Sequence, residues 1–326
     1  MRPIMLGIAS AFFFAFTFVL NKAMEMNGGS WVWSASLRYF FMVPFLVIIV
    51  LIRGNLKPIL LELRNNALKW ILWSSVGFGI FYSFICFASA YGPGWLIAGT
   101  WQLTIISGTL LAPLFMEQIA ASDGTIVHER RKIPIKSLGF SLLIIVGIVF
   151  MQVEFARSLS LSQALLCLIP ILIASFAYPL GNRKMMEVAG GRFDVFQRVL
   201  GMTIASLPFW LILSVYGWMT AGLPSVMQVY QSGIVALFSG VVATILFFAA
   251  TDLAKDNMQK LGAVEATQSF EVLFALIGEM VFLSAGLPSP VSLLGIGIVI
   301  IGMVLHSIFS RNIKKLKLAK EAHHFN

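Results

Sequence analysis

Four acidic or amide side chains occur in one largely apolar stretch of the sequence, residues 261–284. At about 100° per residue on a helix, the four fall within one arc of about 120°. They are Glu265, Gln268, Glu271 and Glu279. An ionised side chain at the centre of a bilayer costs about 2.5 to 3.5 kcal/mol even on the lenient insertion scale, so this arc has to face protein or water. Such a row could bind a cationic group or relay protons.

The four residues of this row differ in their expected depth in the membrane. Glu271 lies near the middle of the stretch, with Glu265 toward one end and Glu279 toward the other. A carboxyl in mid-membrane must be neutralised by a proton or by a cation, so Glu271 is the first candidate for a substrate or proton pathway. A protonated Glu271 making one interhelical hydrogen bond is the alternative. For Glu265 and Glu279, function and simple solvation at headgroup depth stand as equal alternatives.

Two arginines also lie inside apolar stretches, at positions 38 and 198. Each could snorkel, with its apolar stem in lipid and its charged end at the interface. Their similar placement favours paired structural or gating roles instead, such as a salt bridge to an acid that breaks when one side opens. The sequence does not indicate which acid would pair with Arg38 or Arg198, although Glu279 belongs to the same group of structural or gating charges.

Aromatic and amide side chains add to the candidate pathway. Gln102 and Trp101 occur in the apolar stretch 95–116, and Tyr82 in the stretch 68–90. The faces of aromatic rings attract cations by about 0.5 to 2 kcal/mol each, which suits a lipophilic cation. We therefore add Gln102, Trp101 and Tyr82 to the predicted pathway.

The composition indicates the solvent in which these residues work. Hydrophobic residues make up 59% of the 326 residues and charged residues only 11%. A soluble domain carries about 25% charged residues, so much of this surface must face lipid. Ten apolar stretches are long enough to be transmembrane helices. They run approximately over Pro3–Leu20, Trp31–Ile52, Leu68–Ala90, Trp95–Met116, Ser137–Gln152, Leu161–Leu180, Val195–Tyr216, Ser232–Thr251, Leu261–Ser284 and Pro290–Phe309. The sequence thus predicts an all-α membrane protein with no large extramembrane catalytic domain.

The distribution of positive charge orients these spans. If the ten spans alternate, 19 of the 23 Lys and Arg residues fall in the termini and loops of one side, and only Lys22 and Arg157 fall in loops of the other. Cytoplasmic loops are enriched in Lys and Arg, so both termini are predicted to be cytoplasmic. The same bias explains the net charge of +9, so no nucleic-acid partner is expected.

A short segment occurs twice. Asn21-Lys22-Ala23-Met24-Glu25 with Gly28-Gly29 returns, with one insertion, as residues 182–191, and each copy is followed by an intramembrane arginine. A repeat of five spans must insert its second copy upside down. We therefore predict two inverted five-helix halves, residues 1–155 and residues 156–326, the second ending in a basic cytoplasmic tail.

Other classes of site are not indicated by the sequence. The four His and two Cys residues show no metal-ligand spacing, and no GxxxxGK[ST] motif for ATP is present. We therefore expect no enzyme activity, no cofactor and no metal. Glycine pairs at seven-residue spacing, such as Gly295 and Gly302, permit close helix contact within or between chains, so monomer and homodimer are both open.

Against this background the chain resembles a known family. The segment AYGPGWLIAGTWQ at residues 90–102, with Gly28-Gly29-Ser30-Trp31 and Ser36-Leu37-Arg38, resembles the EmrE-like, ten-span multidrug resistance efflux branch of the drug/metabolite transporter superfamily. The resemblance covers essentially the full chain. It implies a secondary transporter in a bacterial cytoplasmic membrane that exports small amphipathic or cationic compounds or metabolites by alternating access, with a small-molecule substrate and the lipid bilayer as partners.

One feature departs from that resemblance. The four-helix small multidrug resistance relatives carry an essential Glu in their first helix, but no acid occurs here between Met1 and Leu20. If proton coupling exists, Glu271 or Glu265 would have to supply it. The runner-up function is a translocase for a lipid or an anionic metabolite that uses Arg38 and Arg198 as partners for an anionic group.

Overall fold

The computed structural model describes residues 1–120, 126–130, 133, 135–158, 160–254 and 263–324. The described chain is almost entirely helical, as the apolar stretches predict. Its helices are α1 (Arg2–Met26), α2 (Trp31–Ile52), α3 (Leu56–Asn65), α4 (Ala67–Ser74), α5 (Phe81–Ser89), α6 (Gly94–Trp101), α7 (Leu103–Leu110), α8 (Ile135–Ser158), α9 (Leu161–Ala189), α10 (Val195–Ala205), α11 (Leu207–Ala221), α12 (Val226–Val235), α13 (Ala243–Ala254), α14 (Phe270–Phe282) and α15 (Pro290–His324). The predicted basic tail continues α15.

Ten continuous spans are not confirmed. In the described ranges, seven helical segments are long and apolar enough to cross a membrane, and α10 with α11 forms an eighth that is bent by 41°. The two remaining stretches, residues 95–116 and 261–284, contain only shorter helices. The start of the second stretch, residues 261 and 262, lies outside the described residues. The chain is therefore a multi-pass membrane protein with at least seven candidate spans.

Both shorter stretches are interrupted at a glutamine. Helix α6 ends at Trp101 and α7 begins at Leu103, so Gln102 lies at the break. In the later stretch, a 3₁₀ turn, Thr267–Ser269, surrounds Gln268 and precedes α14. In membrane proteins, interrupted helices are tolerated where the freed backbone groups are buried in protein or line a cavity.

Two π turns also occupy similar places in the chain. One, Ser75–Ile80, joins α4 to α5, and the other, Ala236–Val242, joins α12 to α13. Single π turns inside helices occur frequently at functional sites. The two segments of the short repeat also end alike, because Gly28 and Gly190 both have a positive φ, of 76° and 56°. Glycine adopts this conformation without strain.

A β-hairpin is the exception to the all-α prediction. Strands β1 (Met116–Ala120) and β2 (Ile126–Arg130) pair antiparallel, with Met116 opposite Arg130, in the loop between α7 and α8. Valine, isoleucine and alternating polar residues allow a short strand pair here.

Helices α8 and α15 cross at close range through glycines. A Cβ atom added to Gly295 would lie 2.7 Å from the carbonyl oxygen of Gly147, and one added to Gly147 would lie 2.6 Å from the carbonyl oxygen of Gly295. The Gly295 and Gly302 pair therefore serves a contact within the chain, since Gly302 meets Ile144 in the same way. Small residues at such crossings let two backbones approach.

We expect Gly295→Ala to lower the free energy of unfolding by about 1 to 3 kcal/mol, because the helices must separate to admit the methyl group. Gly297 is the matched control, since nothing lies within 4 Å of a Cβ added there. Gly297→Ala should be neutral or stabilise α15 by up to about 1 kcal/mol. Thermal unfolding of both variants in detergent measures the difference. Equal midpoints would contradict the close crossing.

A polar cluster outside the spans ties α3 to the segment after α9. The Glu62 side chain is only 6% exposed and accepts hydrogen bonds from Arg192 Nη1 at 2.8 Å and Nη2 at 3.0 Å. It also accepts bonds from Trp70 Nε1 at 3.3 Å and Asn66 Nδ2 at 3.0 Å. Burial alone would raise the pKa of the Glu62 carboxyl. These hydrogen bonds lower the pKa by more than burial raises it, so the pKa of Glu62 lies below its ordinary value of 4.5.

The lowered pKa predicts a pH-dependent stability. Glu62 stabilises the fold above its unfolded pKa, and this contribution disappears as the pH falls through its lower folded pKa. We expect the native protein to be more stable than Glu62→Gln by about 1 kcal/mol near neutral pH, since half-exposed Arg192 is screened by solvent. The difference in unfolding midpoint should shrink below pH 4.5. A difference that stays constant across that range would contradict this role.

Candidate functional site

A cavity of about 460 Å³ opens between the helices. Its volume lies within the range of roughly 300 to 1,000 Å³ that is usual for small-molecule sites. The lining residues come from α1, α2, α5, α6, α7, α9, α10, α13, the 263–282 segment, α15 and both π turns. The polar lining residues are Thr17, Arg38, Gln102, Thr104, Asn182, Arg198, Ser239, Thr244, Glu265, Gln268, Glu271, His306 and Ser307. The walls therefore combine several aromatic rings with charges of both signs.

The three predicted members of the pathway on the 263–282 segment all reach this cavity. Glu271, at the start of α14, is 7% exposed and lines the wall. Within the described ranges, no hydrogen bond or ion pair to its carboxyl is found. Gln268 donates to the carbonyl oxygen of Gly7 at 3.3 Å, which joins the 3₁₀ turn to α1. Glu265 lines the cavity from the preceding turn.

Arg38 does not snorkel to the interface. Its side chain is 9% exposed and lines the cavity, with Nη1 donating to Thr17 Oγ1 at 3.1 Å and Nη2 donating to Ser239 Oγ at 3.2 Å. The guanidinium also lies 4.1 Å from the centroid of the Tyr82 ring. No acid in the described part of the chain lies within ion-pair distance of Arg38, and its Nε has no hydrogen-bond partner there.

The hydroxyls that receive Arg38 lie on two other elements. Thr17 Oγ1 and Ser239 Oγ are 2.5 Å apart, so α1, α2 and the second π turn meet at one hydrogen-bonded centre. Thr17 belongs to α1, whose Ser10 and Asn21 are also buried and bonded to other helices. A guanidinium held by hydroxyls keeps its full positive charge.

An aromatic group forms another part of the wall. The rings of Phe81, Trp101 and Tyr178 contact one another with centroid distances of 4.7 to 5.5 Å. Tyr82, which was predicted for the pathway, is fully buried and is not among the lining residues. Its hydroxyl forms a hydrogen bond with the Asn21 side chain, and its ring packs against the guanidinium of Arg38.

The remaining predicted residues divide between the cavity and a helix end. Gln102 lines the cavity, and its Nε2 donates to the carbonyl oxygen of Ala98 at 3.0 Å beside the α6–α7 break. Arg198 lines the cavity from α10.

Glu279 lies away from the cavity and is only 1% exposed, so it is not solvated at headgroup depth. It accepts hydrogen bonds from the backbone N–H groups of Gly94 at 2.6 Å and Trp95 at 3.3 Å. These bonds satisfy donors at the first turn of α6.

Sequence comparison gives the family of this fold and cavity. The sequence model of the EmrE family, described as "Putative multidrug resistance efflux transporter", matches residues 1–312. The chain belongs to this family. As a member, it is a membrane transporter whose partners are a small molecule and the lipid bilayer, and this classification implies a protein that is not an enzyme.

Two relatives and one solved structure extend the comparison. The chain is 56% identical to "Uncharacterized protein YjlA" of Bacillus subtilis (strain 168) over 98% of both chains. It is 49% identical to an "Uncharacterized 42.1 kDa protein in intracellular alkaline protease 3'region" of Shouchella clausii, over 83% of this chain and 70% of that protein. A structure described as "Crystal structure of protein" matches with a TM-score of 0.61 at 10% identity, covering 95% of this chain and 98% of the other. That likeness shows a shared fold alone.

Several cavity residues of this family member were not predicted. Tyr178, Asn182 and His306 line the wall without having been candidates. Asn182 opens the second copy of the repeated segment, which is a signal that could have pointed to it. His306 gave no such signal, because a single histidine near the end of an apolar stretch is usually a packed or interfacial residue. Its Nδ1 lies 2.8 Å from Ser141 Oγ.

Proposed function

We propose that this protein is a secondary carrier that exports small amphipathic or cationic compounds or metabolites across the cytoplasmic membrane by alternating access. The observation that carries the proposal is the position of Glu271, a buried carboxyl without a protein partner in the described ranges, on the wall of a cavity of ligand size. Glu271, Glu265, Gln268, Gln102 and Trp101 form the pathway, and Glu271 couples transport to protons. Intramembrane carboxyls commonly mark such pathways.

The internal symmetry of the chain supports the transport cycle. We propose ten spans in two inverted halves, residues 1–155 and 156–326, with both termini cytoplasmic. The π turns 75–80 and 236–242 and the interruptions at Gln102 and Gln268 occupy matching places in the two halves. Interrupted helices around a mid-membrane site at the interface of two inverted repeats are typical of secondary carriers.

The proposed orientation assigns a direction to the cavity. With both termini cytoplasmic, Glu265 and His306 line its cytoplasmic portion, while the Glu279 contact with Gly94 lies on the external side. We propose that, in this orientation, the Glu279 contact closes the external side of the carrier. Opening outward would require α6 and α14 to separate, breaking the bonds of Glu279.

Transport by reconstituted protein tests the proposal. Proteoliposomes with an acidic interior should accumulate a fluorescent lipophilic cation, such as ethidium, or a small amphipathic metabolite, and collapse of the proton gradient should release it. Protein-free liposomes are the control, and circular dichroism verifies folding. Folded protein that moves neither cationic, anionic nor zwitterionic compounds would contradict the carrier function.

One observation favours the second candidate, a translocase for an anionic compound or lipid. Arg38 is a buried cation on the cavity wall with no acid at ion-pair distance in the described ranges, so an anionic group could bind there. This candidate predicts movement of an organic anion or phospholipid and indifference to ethidium.

A further inference from the structure

Arg38 is a buried cation with no carboxylate beside it in the described part of the chain. No Asp or Glu oxygen there lies within 4.0 Å of its nitrogen atoms. The titratable side chains that interact electrostatically with it are Tyr82, Tyr39 and Cys86, which are uncharged at neutral pH. A buried charge without a counter-charge is strongly unfavourable, so Arg38 needs a negative charge from outside the protein.

Arg38 differs in this respect from Glu271, the other deeply buried ionisable residue of the cavity wall. A carboxyl without a partner can take up a proton and become neutral. A guanidinium cannot lose its proton in a protein, so Arg38 stays positive whatever its surroundings. Neutralising Arg38 therefore requires a second ion, whereas neutralising Glu271 does not.

The hydrogen bonds around Arg38 leave more donors than acceptors. Of its five N–H groups, one bonds to Thr17 Oγ1 and one to Ser239 Oγ, and Nε has no acceptor among the described residues. Thr17 and Ser239 share one hydrogen bond, which uses one of their two hydroxyl hydrogens. Neither forms a further hydrogen bond with a residue that the structure describes, so the second hydroxyl hydrogen is also left without an acceptor. The centre therefore needs an acceptor that carries a negative charge.

The geometry favours a single spherical anion over a carboxylate or a phosphate. A bidentate oxyanion binds two parallel N–H groups of the guanidinium fork. In Arg38, Nη1 and Nη2 each already donate to a hydroxyl, and Nε is fully buried, so neither edge of the fork is free. A halide ion has no fixed acceptor direction and can accept hydrogens from an Nη atom and a hydroxyl at one point. Thr17, Arg38 and Ser239 all line the cavity, so an ion can reach them from there.

We propose that Arg38, Thr17 and Ser239 form a binding site for a halide ion, with chloride as the physiological ligand. The ion neutralises the guanidinium and accepts the hydroxyl hydrogen that the protein leaves unbonded. It lies where α1, α2 and the second π turn meet, so it stabilises the junction of these three elements. The inference goes beyond the proposed transport function and does not rest on it, because it requires only that Arg38 be neutralised.

Thermal unfolding of the full chain in detergent tests the proposal. Sodium chloride or sodium bromide replaces sodium gluconate stepwise at constant ionic strength, so that general screening by salt does not change. We expect the unfolding midpoint to rise by about 2 to 4 °C and to level off as one site fills. Equal midpoints in gluconate, chloride and bromide would show that water alone solvates Arg38 and would overturn the proposal. A larger rise with acetate than with chloride would overturn it in favour of a carboxylate site.

Variants assign the effect to Arg38. Arg38→Gln should lose the chloride dependence, and Arg38→Lys, which keeps the positive charge, should retain it with weaker affinity. Arg53→Gln is the matched control, because Arg53 is exposed, pairs with Asp194 and is not among the lining residues, so its full chloride response should remain. A chloride response that survives unchanged in Arg38→Gln would overturn the assignment of the site.

A direct measurement on the native protein keeps the proposal testable if Arg38→Gln fails to fold. Crystals grown in sodium bromide should show an anomalous scattering peak within hydrogen-bonding distance of an Arg38 Nη atom and of the Thr17 or Ser239 hydroxyl. No peak there, at a bromide concentration that saturates the thermal shift, would overturn the site.

Transport measurements separate this inference from the proposed function. A bromide peak and a chloride-dependent midpoint in a folded protein that moves no compound would leave the halide site standing and overturn the carrier function. Transport by a protein whose stability is indifferent to chloride and bromide would leave the carrier function standing and overturn the halide site.

Discussion

Glutamine at position 271 is expected to eliminate gradient-driven transport while leaving the protein folded. The substitution preserves shape, but an amide cannot bind and release a proton or carry the negative charge that attracts an ammonium group. Glu271 makes no hydrogen bond or ion pair with the residues that the structure describes, so its replacement removes little native structure. We expect the rate of proton-driven uptake to fall at least about tenfold, because intramembrane carboxyls of this kind act as proton relays and an amide cannot.

Two controls accompany this measurement. Glu187→Gln changes a carboxyl that is 45% exposed and whose ion pair among the described residues is with Lys184 on the same helix, so transport should be unaffected. Substrate exchange without a proton gradient separates coupling from binding. Exchange that survives in Glu271→Gln assigns the residue to coupling, whereas its loss assigns it to binding. Full gradient-driven transport by a folded Glu271→Gln protein would refute the assignment of Glu271.

A second large effect is expected at Glu279, on stability. Glu279→Ala removes a charged acceptor from two buried backbone donors, those of Gly94 and Trp95. Hydrogen bonds to charged groups contribute about 1.5 to 3 kcal/mol each, and buried donors that lose their partner pay a desolvation penalty. We expect the free energy of unfolding to fall by about 2 to 4 kcal/mol, measured by denaturation in mixed detergent micelles.

A graded series makes this second prediction specific. Glu279→Gln keeps one carbonyl acceptor and should lose roughly half of the effect. Glu187→Ala removes a half-exposed surface pair and should change stability by less than about 1 kcal/mol. If Glu279→Ala proved no more harmful than Glu187→Ala, the contact with the first turn of α6 would not contribute to stability.

Much of the helical layout was predictable because the length of an apolar stretch indicates whether it can span a membrane. Helix α2 runs over Trp31–Ile52, the same bounds as the predicted span, and the π-containing segment Ala67–Ser89 differs from its prediction by one residue at each end. The interruptions at Gln102 and Gln268 were not predictable. Hydropathy reports whether a residue tolerates lipid, and it contains no information on whether the backbone hydrogen bonds continue through that residue.

The residues of the candidate site were likewise predictable only in part. Glu271, Gln268 and Gln102 were identified because a polar group in an apolar stretch needs a partner or a cavity, and each lies on the cavity wall. The partner of Arg38 was not predicted, because an arginine in an apolar stretch indicates an acidic partner, whereas its hydrogen-bond acceptors are the hydroxyls of Thr17 and Ser239. Serine and threonine are frequent in membrane helices, so their presence alone did not distinguish these two.

The two sides of the contact between Glu279 and the first turn of α6 differ in how many substitutions they tolerate. At position 279 the interaction depends on the side chain, so few replacements can retain it. At position 95 it depends only on a backbone N–H, which every amino acid except proline provides. Gly94 is constrained for another reason, since a Cβ there would lie 2.8 Å from the carbonyl oxygen of Phe18. The residue at position 95 can therefore change during evolution without a compensating change at position 279. Sequence covariation between the two positions would then underestimate the strength of their interaction.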